Sequence, residues 1–261
     1  MGHMILSTFS NHQKLPQVKE ITTEQPWRWL AAGWRDLRRT PATSISYGML
    51  ITVASFLITL SAIMSERLFL IPVLLGGFFL VAPALGLVLY EVSRRLEKGE
   101  PTNLLYVMRA ISQHRAQVGI MGAAMVVCFI AWFLCANLVF MLMSSGITPS
   151  LDNFIPYLLS PENLPMLAVG TLLGEGFALI VFSLTVVSVP MLLDRDDMNA
   201  MSAMQVSFEA FRRNLEPMLL WAGIVVAVIL GGFITLYIGL AIGFPVLAHA
   251  SWHAYRDVVK P

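Results

Sequence analysis

Charged residues are scarce. Asp, Glu, Lys and Arg make up 13% of the chain, while 57% of it is hydrophobic; soluble domains carry roughly a quarter charged residues. So few polar groups cannot cover a water-facing surface, which excludes a soluble globule for these 261 residues. An excess of one sign is lacking too. With 17 basic and 16 acidic side chains the formal net charge is +1, no basic field exists to hold a phosphate backbone, and nucleic acid is excluded as a partner. Cysteine is nearly absent. Cys128 and Cys135 sit seven positions apart in one apolar run, about 10.5 Å of helical rise, beyond the roughly 7 Å Cα limit of a disulfide. Also missing are HExxH, GxxxxGK[ST], GxSxG and paired CxxC, so no catalytic residue and no enzyme activity is expected.

What the chain does have is long apolar runs. A bilayer core of about 30 Å takes some 20 helical residues, and the charge-poor stretches 45–64, 68–90, 118–143 and 164–193 each meet that length. From Pro217 to Tyr255 there is no Asp, Glu, Lys or Arg. A single helix of that length would be roughly 58 Å long, so it must fold back at Gly231-Gly232 or just after, giving spans at about 217–234 and 236–255. Six spans put 16 of the 17 basic residues on one side and leave Arg67 alone on the other. That asymmetry places both termini in the cytoplasm. Residues 1–25, with no apolar signal-like stretch, are expected to form a flexible cytoplasmic segment, and 26–258 a single transmembrane domain. The 144–163 loop is expected outside.

The segments between spans have their own periodicity. Trp27, Leu30, Trp34 and Leu37 recur at helical spacing, as do Leu104, Val107, Met108 and Ile111, and Met201, Met204, Phe208 and Phe211. Each predicts an amphipathic helix in the headgroup region, large apolar side chains inward and arginines near phosphate. The order elbow, span, span then occurs three times, and the second span of each unit carries a proline: Pro83, Pro190 and Pro245. The fold class expected is an all-α membrane protein with a pseudo-threefold elbow-span-span repeat.

Polar residues follow each proline, and the kinks are expected to gather Glu91, Arg94, Asp194, Arg195, His249 and His253 into a cluster at the cytoplasmic mouth. His249 and His253, at i and i+4, share a helix face and are weak candidates for a metal or haem iron; otherwise no cofactor is expected. Asp196 or Asp197 is the expected cap of the third elbow helix. Glu175 lies about 11 residues into the fourth span, where an ionised carboxylate is costly. It reads as a proton or cation site, or as an acid facing the bundle and bonded to Asn137 or a hydroxyl.

Several stretches resemble a known family. They are residues 26–39 (PWRWLAAGWRDLRR) with Tyr47-Gly48, 90–99 (YEVSRRLEKG), 188–195 (SVPMLLDR) and 245–256 (PVLAHASWHAYR). Together they resemble an uncharacterised family of bacterial integral membrane proteins, a domain of unknown function. The resemblance implies a six-span protein of the bacterial inner membrane and supplies no activity. Two positions depart from its pattern: Ala248, where glycine is usual, and Glu175, where a small residue is usual. The expected role is non-enzymatic binding or scaffolding, with the bilayer, anionic lipid headgroups or another membrane protein as partner. The alternatives are a permease or channel for a small solute, ion or proton and, lower, a metal or haem redox protein.

Overall fold

The structure is a computed structural model that describes residues 15–144 and 151–260. Part of the expected flexible segment (1–14) and of the expected outer loop (145–150) lies outside the described residues. Among the described residues there are helices and one isolated antiparallel bridge, Val18 with Val259. The protein is all-α.

Helix α1 (Gln25–Arg39) opens with Pro26 in its first turn, where a missing N–H costs nothing, and hands over at Thr40 to α2 (Pro41–Met64). The chain returns through α3 (Leu70–Leu85) and α4 (Leu87–Lys98), separated only by Gly86. Next come α5 (Leu104–Gln113), capped by Asn103, and α6 (Arg115–Met143). A short 3-10 turn (Leu151–Asn153) and α7 (Phe154–Leu158) lead to α8 (Leu164–Thr185) and α9 (Ser188–Asp194). Finally α10 (Ala200–Arg213) precedes α11 (Leu215–Ile234) and α12 (Leu240–Val258). The fold-back falls just after Gly231-Gly232, with Leu236 and Tyr237 in left-handed backbone at φ 51° and 69°.

Among the described residues, five segments are long and apolar enough to cross a membrane: Pro41–Met64, Leu70–Lys98, Arg115–Met143, Leu164–Asp194 and Leu215–Ile234. The second runs past its expected end at 90, because α4 continues as an amphipathic helix to Lys98. The expected sixth span corresponds to α12, whose second half carries His249, Ser251, His253, Arg256 and Asp257 and is too polar to count among the five. Twelve of its nineteen residues are buried. It is the post around which α1, α2, α4, α9 and α11 pack, so protein rather than lipid surrounds its polar groups.

The three prolines act differently. Pro190 leaves the Val186 carbonyl without an N–H four residues on, and the helix breaks there, at Val186-Val187. After Pro83 the break comes at Gly86. Helix α12 runs unbroken through Pro245. A Cβ on Gly48 of α2 would stand 2.2 Å from the freed Ala241 oxygen, and one on Gly33 of α1 would stand 2.4 Å from the Val246 oxygen. Only glycine lets these two helices lie so close to the α12 backbone, where Cα–H groups face the carbonyls. The Gly170-xxx-Gly174 pair lends itself less well to packing: Gly170 faces open space, while Gly174 meets Trp132.

The expected elbows form, with a correction to their faces. In α1 the buried residues are Trp29, Ala32, Gly33, Asp36 and Leu37, while Trp27 and Trp34 are exposed. In α5, Val107 and Ala110 are buried and Leu104 and Met108 exposed. In α10, Ala203, Val206, Ser207 and Ala210 are buried and Met201 and Phe208 exposed. The buried faces mix small side chains, which allow close approach, with Trp29, Leu37 and Phe211, while the other large apolar residues named are turned away from the bundle. The cap of α10 is Asn199, whose side chain accepts from Ser202 N at 2.9 Å, and neither Asp196 nor Asp197 takes that place.

Candidate functional site

The first and last described residues of the chain meet at one end of the bundle. Lys19 N donates to Val258 O (2.8 Å) and Lys260 N to Gln17 O (3.0 Å). The elbows and the polar residues that follow each proline gather here, and the expected six-residue cluster resolves into three groups.

The first group centres on a residue that the sequence reading placed outside the cluster, Asp36 of α1. It is 5% exposed. Its Oδ2 accepts from Ser93 Oγ (2.8 Å) and from His253 Nε2 (2.8 Å). Ser93 has one proton and gives it to Asp36, so its oxygen accepts from His249 Nδ1 at 2.8 Å. The other ring nitrogen, Nε2, meets Ser44 Oγ at 2.9 Å. Ser44 in turn lies 3.0 Å from Thr40 Oγ1, which donates to the Asp36 carbonyl. The ring Asp36, Ser93, His249, Ser44, Thr40 therefore closes on itself across α1, α2, α4 and α12. Burial works to raise the Asp36 pKa, but the hydrogen bonds from His253 and Ser93 and the field of the two histidines outweigh it and hold it below 3.8.

The second group contains Asp194 and Arg195. Tyr255 Oη donates to Asp194 (2.9 Å), Arg256 Nη1 pairs with it at 3.2 Å, and Arg195 Nε donates to Tyr255 Oη (3.2 Å). Glu97 binds Arg256 (2.9 Å) and Trp252 Nε1 (3.1 Å). On the far side of α12, Trp29 Nε1 donates to Asp257 (3.0 Å) and stacks edge-on against Trp221. The third group is internal to α4. Glu91 is fully buried and accepts from Arg94 Nε (2.7 Å) and Arg95 Nε (2.8 Å). Charge-assisted bonds of this kind satisfy a carboxylate that burial would otherwise penalise.

The metal candidates are engaged elsewhere: both nitrogens of His249 face serine hydroxyls, and His253 faces Asp36. His114 lies 3.6 Å from Asp196, away from them. Among the described residues no group of three or more His, Cys, Asp or Glu side chains is placed to hold a metal ion. Glu175 stands apart in α8 on the wall of a cleft. Asn137, its expected partner, instead donates to Phe133 O on its own helix at 2.7 Å.

These features define an integral membrane protein of all-α type. Residues 70–194, from α3 to the end of α9, match the family described as "Predicted integral membrane protein (DUF2189)", in agreement with the resemblance to an uncharacterised membrane family. The motifs at 26–39 and 245–256 lie outside that stretch. No curated protein and no solved structure matches the chain.

Proposed function

We propose that this is a non-enzymatic protein of the bacterial inner membrane that binds anionic lipid headgroups on its cytoplasmic face through the three elbow helices. One observation carries the reading. In α1, α5 and α10 one face packs on the bundle through residues such as Trp29, Val107 and Ala203, while further large apolar side chains, Trp27, Trp34, Met108 and Phe208, are exposed. Exposed arginines stand beside them, and Arg35, Arg38, Arg39 and Arg109 join no ion pair among the described residues. A helix of that build lies in the headgroup layer, its aromatic and aliphatic groups in the acyl boundary and its guanidiniums at phosphate.

Helix α12 is the sixth crossing in this reading. The pairing of Val18 with Val259 supports it, since chain ends on one side need an even number of crossings. The positive-inside bias then makes that side cytoplasmic. The broken helices speak for the permease alternative, but the polar groups at their ends bond to each other, which favours a fixed platform over a conducting path.

The test is lipid selection. In nanodiscs of mixed phosphatidylglycerol and phosphatidylcholine, native mass spectrometry is expected to find phosphatidylglycerol enriched on the wild-type protein. The triple variant Arg35→Gln, Arg38→Gln, Arg39→Gln loses that enrichment, by about fivefold per arginine if each contributes about 1 kcal/mol. Equal retention of both lipids by the wild type would overturn the proposal.

A further inference from the structure

The bundle opens sideways between α8 and α11. Helix α8 packs on α3, α6 and α10, and α11 on α1, α10 and α12. Between the two lies a cleft of about 210 Å³, walled by Phe182 of α8 and by Val225 and Ile229 of α11, and floored by Pro83 and Leu247. Its lining is mostly apolar, with the hydroxyls of Tyr90, Thr185 and Ser251 and one charged residue, Glu175. That residue is eleven positions into a 22-residue helix, about 16 Å from its start and therefore near the middle of a core about 30 Å thick.

The rest of the protein leaves Glu175 uncompensated. No Lys, Arg or His lines the cleft, and no ion pair among the described residues includes this carboxylate. The hydroxyls of Thr185 and Ser251, which also line the cleft, are bonded to the carbonyls of Val181 and Leu247 on their own helices. The rotation of α8 is set by its neighbour position: a Cβ on Gly174 would stand 3.0 Å from the Trp132 ring, and Trp132 is itself tied to Val73 O at 3.0 Å. Close packing at Gly174 leaves Glu175, an exposed residue, on the open side of the cleft it lines. An acid in hydrocarbon without a basic partner is a demand for a cation from outside the chain.

We infer that the cleft binds a lipophilic amine. Its apolar body replaces lipid against Phe182, Val225 and Ile229, and its ammonium pairs with the Glu175 carboxylate in surroundings where charge attraction is strong. The site is separate from the headgroup surface, and its test leaves the elbow arginines untouched.

Trp221 also lines the cleft and reports occupancy. Quenching of its fluorescence is followed in neutral detergent with a bromine-bearing dodecylamine and with the corresponding dodecanol, the Trp221→Phe protein supplying the background. The amine is expected to half-saturate the wild type at a concentration about tenfold or more below the alcohol, as a charged-group hydrogen bond requires. In Glu175→Gln the two are expected to quench alike, while Glu175→Asp retains the preference. Equal quenching by amine and alcohol in the wild type overturns the inference, as does an amine preference that survives in Glu175→Gln.

Discussion

Asp36 shows how much one side chain organises. Its carboxylate receives Ser93 and His253, and through Ser93 it fixes which nitrogen of His249 carries the proton. Both donors bond to Oδ2, so asparagine can still offer them its amide oxygen but loses the negative charge that makes such bonds roughly twice as strong, a loss of about 1 kcal/mol or more. Asp36→Asn is therefore expected to lower the unfolding temperature in detergent, read by tryptophan fluorescence. The pH dependence has a definite sign. The folded pKa lies below 3.8, so the contribution is complete above the unfolded value and is lost as pH falls through the folded one. The wild type is expected to lose stability below about pH 4, and Asp36→Asn to lose less over the same range. Nothing in the local sequence singled Asp36 out. It stands between Arg35 and Arg38 on an amphipathic stretch, where a lone acid resembles a solvated position. The buried residues that precede it on the same helix, Ala32 and Gly33, are too small to register in a hydrophobic periodicity.

At the scale of the element, the order of the apolar helices was legible because each rests on a run of apolar residues, but their lengths were not: helices break at Gly86 and Val186-Val187, and α4 runs on to Lys98. Which face of each elbow meets the protein was not legible. Hydrophobic periodicity assumes that apolar means inward, yet in a bilayer the lipid-facing side is apolar as well. Side-chain size does not separate the faces either: Phe211 packs on the bundle beside Ala203 and Ala210 while Phe208 stays exposed, and Trp29 is buried while Trp27 and Trp34 are not. Two glycines test the helix packing. Gly48→Ala drives a Cβ into the Ala241 carbonyl, a backbone atom that cannot rotate aside, and is expected to cost about 1–3 kcal/mol as overpacking does. Gly170→Ala meets nothing within 4 Å; alanine's helix preference makes it neutral or stabilising by up to about 1 kcal/mol. Thermal unfolding of the two purified variants side by side separates these outcomes.

For the molecule as a whole, the polar half of α12 is the key. Its histidines, tryptophan and arginine would be costly against lipid, but α1, α4 and α9 enclose them with Asp36, Glu97 and Asp194. The six expected cluster residues bond within three separate groups. Their partition into three bonded groups depends on helix rotations and on residues far apart in sequence, such as Ser44 and Ser93 with His249. That lay beyond a one-dimensional pattern. The same arrangement carries the account's central claim, that elbows and chain ends share one membrane face and the tight turns share the other. The most direct test is labelling by a membrane-impermeant thiol reagent, with Cys128 and Cys135 replaced by alanine and single cysteines placed at Glu20, Glu100, Arg212 and Lys260, or at Ser65 and Ile238. In oriented membrane vesicles the first four are predicted to react from the same side and the last two only from the opposite one. Labelling of positions 20 and 260 from opposite sides would contradict it.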